Sequence, residues 1–299
     1  MPRRFSLRTM LFWLAPSATV GAVGLPPRSA TPDTTGVTVD TIGAIASRFL
    51  ETQHRVRVFL PAGYASEGKR YPLILMNDGQ DAEAAGLLVT LDSLANMQAI
   101  KPVIVVAIDA TGDRAQEYGV AQHPNAQGLG SRAEAYDRFV TQELLPMIRR
   151  RYRVLREPAQ TAVMGWSLGA LSAFDIAWRH PELFGHVGAF SGSFWWRTND
   201  STVAARQSSR VMHRIVRDTR KVPRIRMWFE AGRQDETDDR DGNGVIDAIQ
   251  DTRELIDVLV AKGFREGPDI RYVEMEGGHN PETWGKALPH FLEWAFPNQ

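Results

Sequence analysis

Residues 161–169 read TAVMGWSLG, a short apolar run that enters Gly165-Trp166-Ser167-Leu168-Gly169 and continues at once into the helical pattern ALSAFDIAWRH. A serine hydroxyl is a weak nucleophile until the backbone lifts it clear and a neighbouring base takes its proton. A Gly-x-Ser-x-Gly segment at a strand-to-helix junction does the lifting, because a turn that sharp has no room for side chains two residues before or after the serine. Ser167 is therefore read as a nucleophile. The same chemistry then demands a base, an acid that holds the base in one tautomer, and two N–H donors for the oxyanion of a tetrahedral intermediate.

The chain offers each of these. Of its seven histidines, His279 directly follows a strand-like run, in EMEGGHNPETW, and stands just before the closing helix. That places serine, acid and histidine in a chain order that a triad can use. Gly277 and Gly278 are expected to give the histidine's loop freedom. The other histidines have structural readings: His54 and His186 open strands, His180 precedes Pro181 at a helix end, His213 lies in an arginine-rich stretch, and His290 sits in the last helix. His123 falls in a loop. The acid should leave the strand IRMWFEAG, beyond whose end Asp235 is the first carboxylate and Glu236 and Asp238 are the alternatives. For the oxyanion, the residue after the serine supplies the N–H of Leu168. The turn after YPLILMN supplies the N–H of Gln80, or of Gly79, whose missing side chain lets the backbone approach a ligand closely.

Substrate-lining candidates follow from the same edge of the molecule. Arg114, Glu117 and Tyr118 come after the run PVIVVAID, Trp195 and Trp196 after HVGAFSG, and Trp166 adjoins the serine. Ligands of open parallel sheets bind at the carboxyl ends of the strands, and paired tryptophans offer a flat face to an aromatic acyl group or a sugar ring. Arg206, Arg210 and Arg214 recur at spacing four, as one helix face would require, and Arg217 and Arg220 extend the strip toward an anionic ligand. Residues 239–250, DRDGNGVIDAIQ, follow a calcium-loop pattern, with Asp239, Asp241 and Asn243 at positions 1, 3 and 5, a Val245 carbonyl at 7 and Asp247 at 9. Gln250 stands where the pattern has a bidentate glutamate. A structural calcium is thus an expectation for this loop, whereas the ester chemistry itself requires no cofactor.

These residues need a scaffold, and the hydrophobic pattern describes one. HRVRVFLP (54–61) alternates like a strand with one wet face, whereas YPLILMN (71–77) and PVIVVAID (102–109) are continuous apolar runs suited to a buried parallel sheet. Helical patterns near 82–97 and 131–152 separate the early strands. The alternation continues through 186–192, 225–232, a helix near 247–263, 270–278 and a last helix. Such repeated crossovers predict an α/β fold with a mostly parallel central sheet and helices on both faces. Residues 195–222 form the one insertion suited to a cap.

Composition narrows the function classes. The chain has 299 residues, 35 basic and 35 acidic, so no global field recruits nucleic acid or an anionic membrane. It has no cysteine, which excludes disulfides, thiolate catalysis and Cys-ligated zinc. Arg3, Arg4 and Arg8 precede an apolar stretch ending in small residues, which reads as an export signal over 1–24. Residues 25–40, rich in Pro, Thr and Asp, read as a flexible lead-in, and 41–299 as the catalytic domain. A secreted or periplasmic protein with no stable membrane span after signal removal follows.

At this point the sequence resembles the esterase branch of the α/β-hydrolases, the family of enterochelin-type esterases, feruloyl esterases, S-formylglutathione hydrolase and the mycolyltransferases. The resemblance covers about residues 54–296. It is carried by VRVFLPAGY with RYPLILMNDGQD, GDRAQEY, YDRFVTQELLPMIRRRYRV, GWSLGALSAFDIAWRHPELFGHVGAFSGSFWW and GGHNPETW. It implies Ser167 as nucleophile, His279 as base and, three residues beyond the glycine of AGRQD, Asp235 as acid. One departure is Asn77, where many relatives carry His. The implied activity is hydrolysis of a small-molecule or glycan-linked carboxylic ester through an acyl-enzyme. An acyltransferase of the same fold and a non-catalytic binding protein are the alternatives.

Overall fold

The computed structural model describes residues 36–298, so the export segment expected over 1–24 lies outside the described residues. Eight strands form one sheet: β1 (Thr38–Ala46), β2 (Gln53–Leu60), β3 (Leu73–Asn77), β4 (Ile104–Ile108), β5 (Thr161–Trp166), β6 (His186–Phe190), β7 (Arg226–Gln234) and β8 (Ile270–Gly278). Their order is β1-β2-β4-β3-β5-β6-β7-β8. β1 pairs antiparallel with β2, and β2 with β4, while every later pairing is parallel. β3, β4, β5 and β6 are buried along their whole length, which explains why their sequences are unbroken apolar runs.

The helices are α1 (Leu87–Asn96), α2 (Arg114–Glu117), α3 (Ala133–Arg138), α4 (Leu145–Arg151), α5 (Leu168–Arg179), α6 (Val203–Ser208), α7 (Val211–Asp218), α8 (Asp247–Ala261) and α9 (Pro281–Ala295). α1 and α9 cover one face of the sheet, packing Leu91, Trp284 and Phe291 against Ile74, Met164 and Trp228. α4, α5, α7 and α8 cover the other, where Phe174, Val216 and Leu255 meet Val163 and Phe229. Among the described residues, no helix is long and apolar enough to cross a membrane.

The chain passes from β3 to β4 on one side and then to β5 on the other, so the strand order reverses between β3 and β5. Crevices form at such a reversal, outside the carboxyl ends of the strands. The turn after β3 and the elbow after β5 are therefore neighbours.

Four expectations need correction. β1 extends into the residues read as a flexible lead-in: Thr38–Ala46 pairs along β2 with a register shift between Thr41 and Gly43. The helix expected from 82 begins at Leu87, after Gly86 turns with φ 67°. The helix expected over 131–152 consists of α3 and α4 joined by a π-helical stretch, Phe139–Leu144. The arginine row is split between α6 and α7, and Arg210 at the junction is buried in ion pairs with Asp251 and Glu254. Residues 195–222 are anchored by Trp196, Val211 and Met212 in the core.

Candidate active site

Ser167 sits between β5 and α5 with φ 58° and ψ −125°, a conformation that costs a non-glycine residue about 1–3 kcal/mol. Both glycines of the motif are required by contact. A Cβ on Gly165 would lie 2.6 Å from the Gly169 carbonyl group and 2.9 Å from the Asn77 side chain, and one on Gly169 would strike the Asp78 carboxylate. β6 holds the kink in place: the Ser167 N–H donates to Phe190 O (2.9 Å), and Ser193 N–H donates to Ser167 O (3.2 Å).

The turn after β3 is fastened to the same kink. Asn77 donates to Gly169 O (2.8 Å) and accepts from the Tyr136 hydroxyl (2.7 Å), so both ends of a wholly buried amide are satisfied. Asp78 takes φ 55°, gives its N–H to the Tyr118 hydroxyl (3.2 Å), and receives a bidentate Arg114 guanidinium at 2.7 and 2.8 Å. A 3₁₀ turn, Gly79–Asp81, follows. Its bonds run from Asp81 N–H to Asp78 O and from Ala82 N–H to Gly79 O, which leaves the Gln80 N–H outside them. The Leu168 N–H likewise lies in the first turn of α5, whose donors have no intrahelical acceptor. The two expected oxyanion donors thus lie at the ends of the adjoining strands β3 and β5, one of them directly after Ser167.

Gly79 is glycine for a different reason from the one expected. A Cβ there would sit 2.7 Å from the β4 backbone at Ala107 and Ile108, so the close approach is to the sheet and not to a ligand.

β7 and β8 end side by side, with Gln234 opposite Gly278, and present Asp235 and His279 as the next residues. His279 Nδ1 stands 3.9 Å from Asp235 Oδ1. Asp235 Oδ2 accepts the Gly232 N–H (3.0 Å), and its buried Oδ1 has no hydrogen-bond partner. Glu236 and Asp238 make no such approach to the imidazole among the described residues. Gly277 does not supply loop freedom: it lies in β8 at φ 141°, and a side chain there would collide with Thr283. His279 is instead held between the strand end and the Asn280 N-cap of α9, whose Oδ1 accepts Thr283 N–H (3.1 Å).

Trp284 closes the constellation, and nothing in its spacing marked it beforehand. Its ring meets His279 edge-on (5.3 Å, 84°), stacks on Trp166 beside the serine (5.3 Å, 8°), and gives its indole N–H to Ser191 Oγ (2.9 Å). The histidine loop is thereby tied to the elbow through two aromatic contacts.

Several expected substrate residues lie elsewhere. Glu117 is wholly buried, where it accepts from Thr111 (2.9 Å) and Thr52 and stands 3.2 Å from His54 Nε2. Burial alone would raise its carboxyl, but the His54 and Thr52 contacts prevail and hold it below the ordinary value. Tyr118 and Trp166 are fully buried, and Trp196 packs under Gly119 and Gly130 with its N–H on His123 O (2.9 Å). Trp195 and Arg114 remain partly exposed; Arg114 keeps 31% of its side-chain surface.

The 239–250 loop satisfies itself. Asp239 accepts from the N–H groups of Gly242, Asn243 and Gly244, Asn243 Oδ1 accepts Val245 N–H (2.8 Å), and Gln250 bridges Asn243 Nδ2 (3.1 Å) and Asp241 Oδ2 (2.9 Å). Asp247 and Asp251 close on Arg240, whose side chain is 2% exposed. Among the described residues, no three His, Asp or Glu side chains converge as metal ligands.

A mostly parallel sheet with a serine elbow after β5 and an acid and histidine after β7 and β8 defines an α/β-hydrolase. A family model described as "Putative esterase" matches residues 47–295, and the chain belongs to that family of carboxylic ester hydrolases. It is 22% identical over 246 residues to an uncharacterised protein, YbbA, of Bacillus subtilis (strain 168), covering 81% of this chain and 92% of that one. It is 26% identical over 245 residues to the iron(III) enterobactin esterase of Escherichia coli (strain K12), again over 81% of this chain but only 53% of the relative's length. The solved structure of a ferulic acid esterase superposes with a TM-score of 0.67 at 21% identity, over 89% of this chain and 99% of that one.

Proposed function

We propose that the protein is an exported serine esterase that cleaves a small-molecule or glycan-linked carboxylic ester through an acyl-enzyme. The observation that carries this reading is the strained Ser167 elbow, with the uncommitted Leu168 and Gln80 N–H groups at the ends of adjoining strands and the Asp235–His279 pair tied to it through Trp284 and Trp166. Ser167 Oγ attacks the ester carbonyl while His279 takes its proton, and Asp235 holds the imidazole and stabilises the imidazolium. The N–H groups of Leu168 and Gln80 receive the oxyanion. His279 then protonates the leaving alcohol, and water activated by the same imidazole releases the acid.

The relatives named for enterobactin and ferulic acid support an ester whose acyl side carries an aromatic ring. The partly exposed Trp195, with the Arg197 guanidinium 5.9 Å from its ring, gives such a ring a surface. Arginines ahead of an apolar stretch in residues 1–24 support export to the periplasm or beyond.

The test is labelling with a fluorophosphonate, alongside turnover of feruloyl, acetyl and siderophore esters with and without an alcohol acceptor. Wild type is expected to label and Ser167→Ala not to. Equal labelling of both, or none of either, would return the chain to the binding-protein reading. Product trapped on the acceptor in place of free acid would make it an acyltransferase.

A further inference from the structure

Glu230 is a carboxyl group that the proposed mechanism does not use. It lies in the middle of β7, between Phe190 of β6 and Val273 of β8, and is wholly buried. Side chains alternate along a strand, so Trp228, Glu230 and Gly232 share the face that α9 covers, while Met227 and Phe229 face the other core.

Its surroundings are poor in partners. Only Ser191 approaches the Glu230 carboxyl, with its hydroxyl 3.5 Å from Oε2 and its backbone N–H also favouring the charged form, and Oε1 has no hydrogen bond. Ser191 in turn accepts the Trp284 indole N–H, and Trp284 is the residue against which His279 rests. Among the described residues no cation pairs with Glu230. The titratable group that acts on it is Asp235, at the end of its own strand, while His279 is linked to it only through Ser191 and Trp284.

Asp235 is close enough to matter. Its Oδ1 leans into the space that a side chain on Gly232 would fill, two residues along the same face and about 7 Å further up the strand. Two carboxylates in one apolar pocket cannot both be ionised cheaply. Asp235 has a backbone N–H and an imidazole to support its charge, whereas Glu230 has only Ser191 and no cation. The proton therefore belongs on Glu230. Burial first, and then the Asp235 charge, push its carboxyl up to about 8.

We propose that Glu230 is a positioning residue of this site, carried as the neutral acid beneath it. Its proton leaves Asp235 as the single negative charge facing His279, and its contact with Ser191 braces Trp284 and so the imidazole. This rests on the Ser167–His279–Asp235 reading.

The experiment compares wild type with Glu230→Gln, which fixes the neutral shape, in two measurements from pH 5 to 9. One is kcat/KM on an ester, with each protein normalised to its own value at pH 6.5. The other is the urea midpoint. Wild type is expected to lose activity above pH 8 as a second charge forms, and the Gln variant to keep a several-fold larger fraction at pH 9. The wild-type urea midpoint should fall between pH 6.5 and 8, and the variant's fall should be smaller.

A variant with the wild-type alkaline limb and the wild-type stability slope would overturn the proposal, because Glu230 would then already be ionised. A flattened slope with an unchanged activity profile would also overturn it, since a purely structural acid behaves that way. Should the Gln variant fail to fold, Glu230→Met reads the same slope. Should wild type turn over no ester while the slope still flattens, the hydrolase reading fails and the buried neutral acid stands.

Discussion

At the scale of single residues, the site divides into groups that react and groups that hold them. If Ser167 is the nucleophile, Ser167→Ala should lower kcat by about 10⁴–10⁶, with Asp235→Asn costing about 10³–10⁴ by releasing the imidazole tautomer; steady-state kinetics on the best ester checks both. Arg114 is a holding group. It neutralises Asp78, whose carboxylate is 1% exposed and packs under Gly169, so the pair joins the turn that carries Gln80 to the helix start that carries Leu168. Arg114→Met strands that charge. A fully buried broken pair costs about 3–5 kcal/mol, and the exposed third of Arg114 reduces this somewhat. The expected outcome is a lower urea midpoint together with a lower kcat and a nearly constant KM. Arg114→Lys keeps the charge but loses the bidentate fork, and should fall between the two.

At the scale of elements, α9 does more than cover the sheet. Its first turn carries Trp284, which fixes the histidine loop against the elbow. Trp284→Phe keeps a ring but loses the bond to Ser191 and should cost about 1 kcal/mol, whereas Trp284→Ala opens a cavity worth about 3–5 kcal/mol. Both should lower kcat, as urea titration and kinetics together would show. The β7–α8 loop makes its own prediction. Arg240 already neutralises Asp247 and Asp251, which leaves Asp239 and Asp241 as the only carboxylates of residues 239–250 without a cationic partner among the described residues, so neither calcium nor a chelator should move the melting temperature. A rise with calcium would mean that the loop rearranges around the ion. These cases also explain what could be read from the chain. The buried strands, the elbow and the Asp235–His279 edge were legible because unbroken apolar runs and glycines report directly on backbone geometry. β1 was not, since its residues alternate between half-buried and exposed and resemble a polar linker. Glu117, Tyr118, Trp166 and Trp196 were placed by chain position alone, and position cannot tell a crevice wall from the core behind it.

At the scale of the whole molecule, the buried ionisable groups set a pH window for stability. Burial depresses His186 to about 4 and His213 to about 3, helped by Arg226 and Arg210 respectively. Below about 6.5 the unfolded chain protonates these imidazoles while the folded one does not, so they take stability away as pH falls. Burial raises Asp175 to about 7 and Glu230 to about 8. The folded chain keeps those two protons above about pH 4, where the unfolded chain has released them, so they take stability away as pH rises. Between about 4.5 and 6.5 the two histidines and the two acids oppose one another, and stability should be nearly level. From about 6.5 to 8 only the acids of these four act, and each should cost about 1.4 kcal/mol per pH unit until it ionises, while His180, raised by its bond to Asp137, adds to the loss. Urea midpoints at pH 5.5, 7 and 8.5 are therefore expected to descend. Asp175→Asn, which can still accept the Ala121 N–H, should remove one part of the descent and Glu230→Gln another. Midpoints that rise over this interval would mean that both acids are ionised in the folded protein.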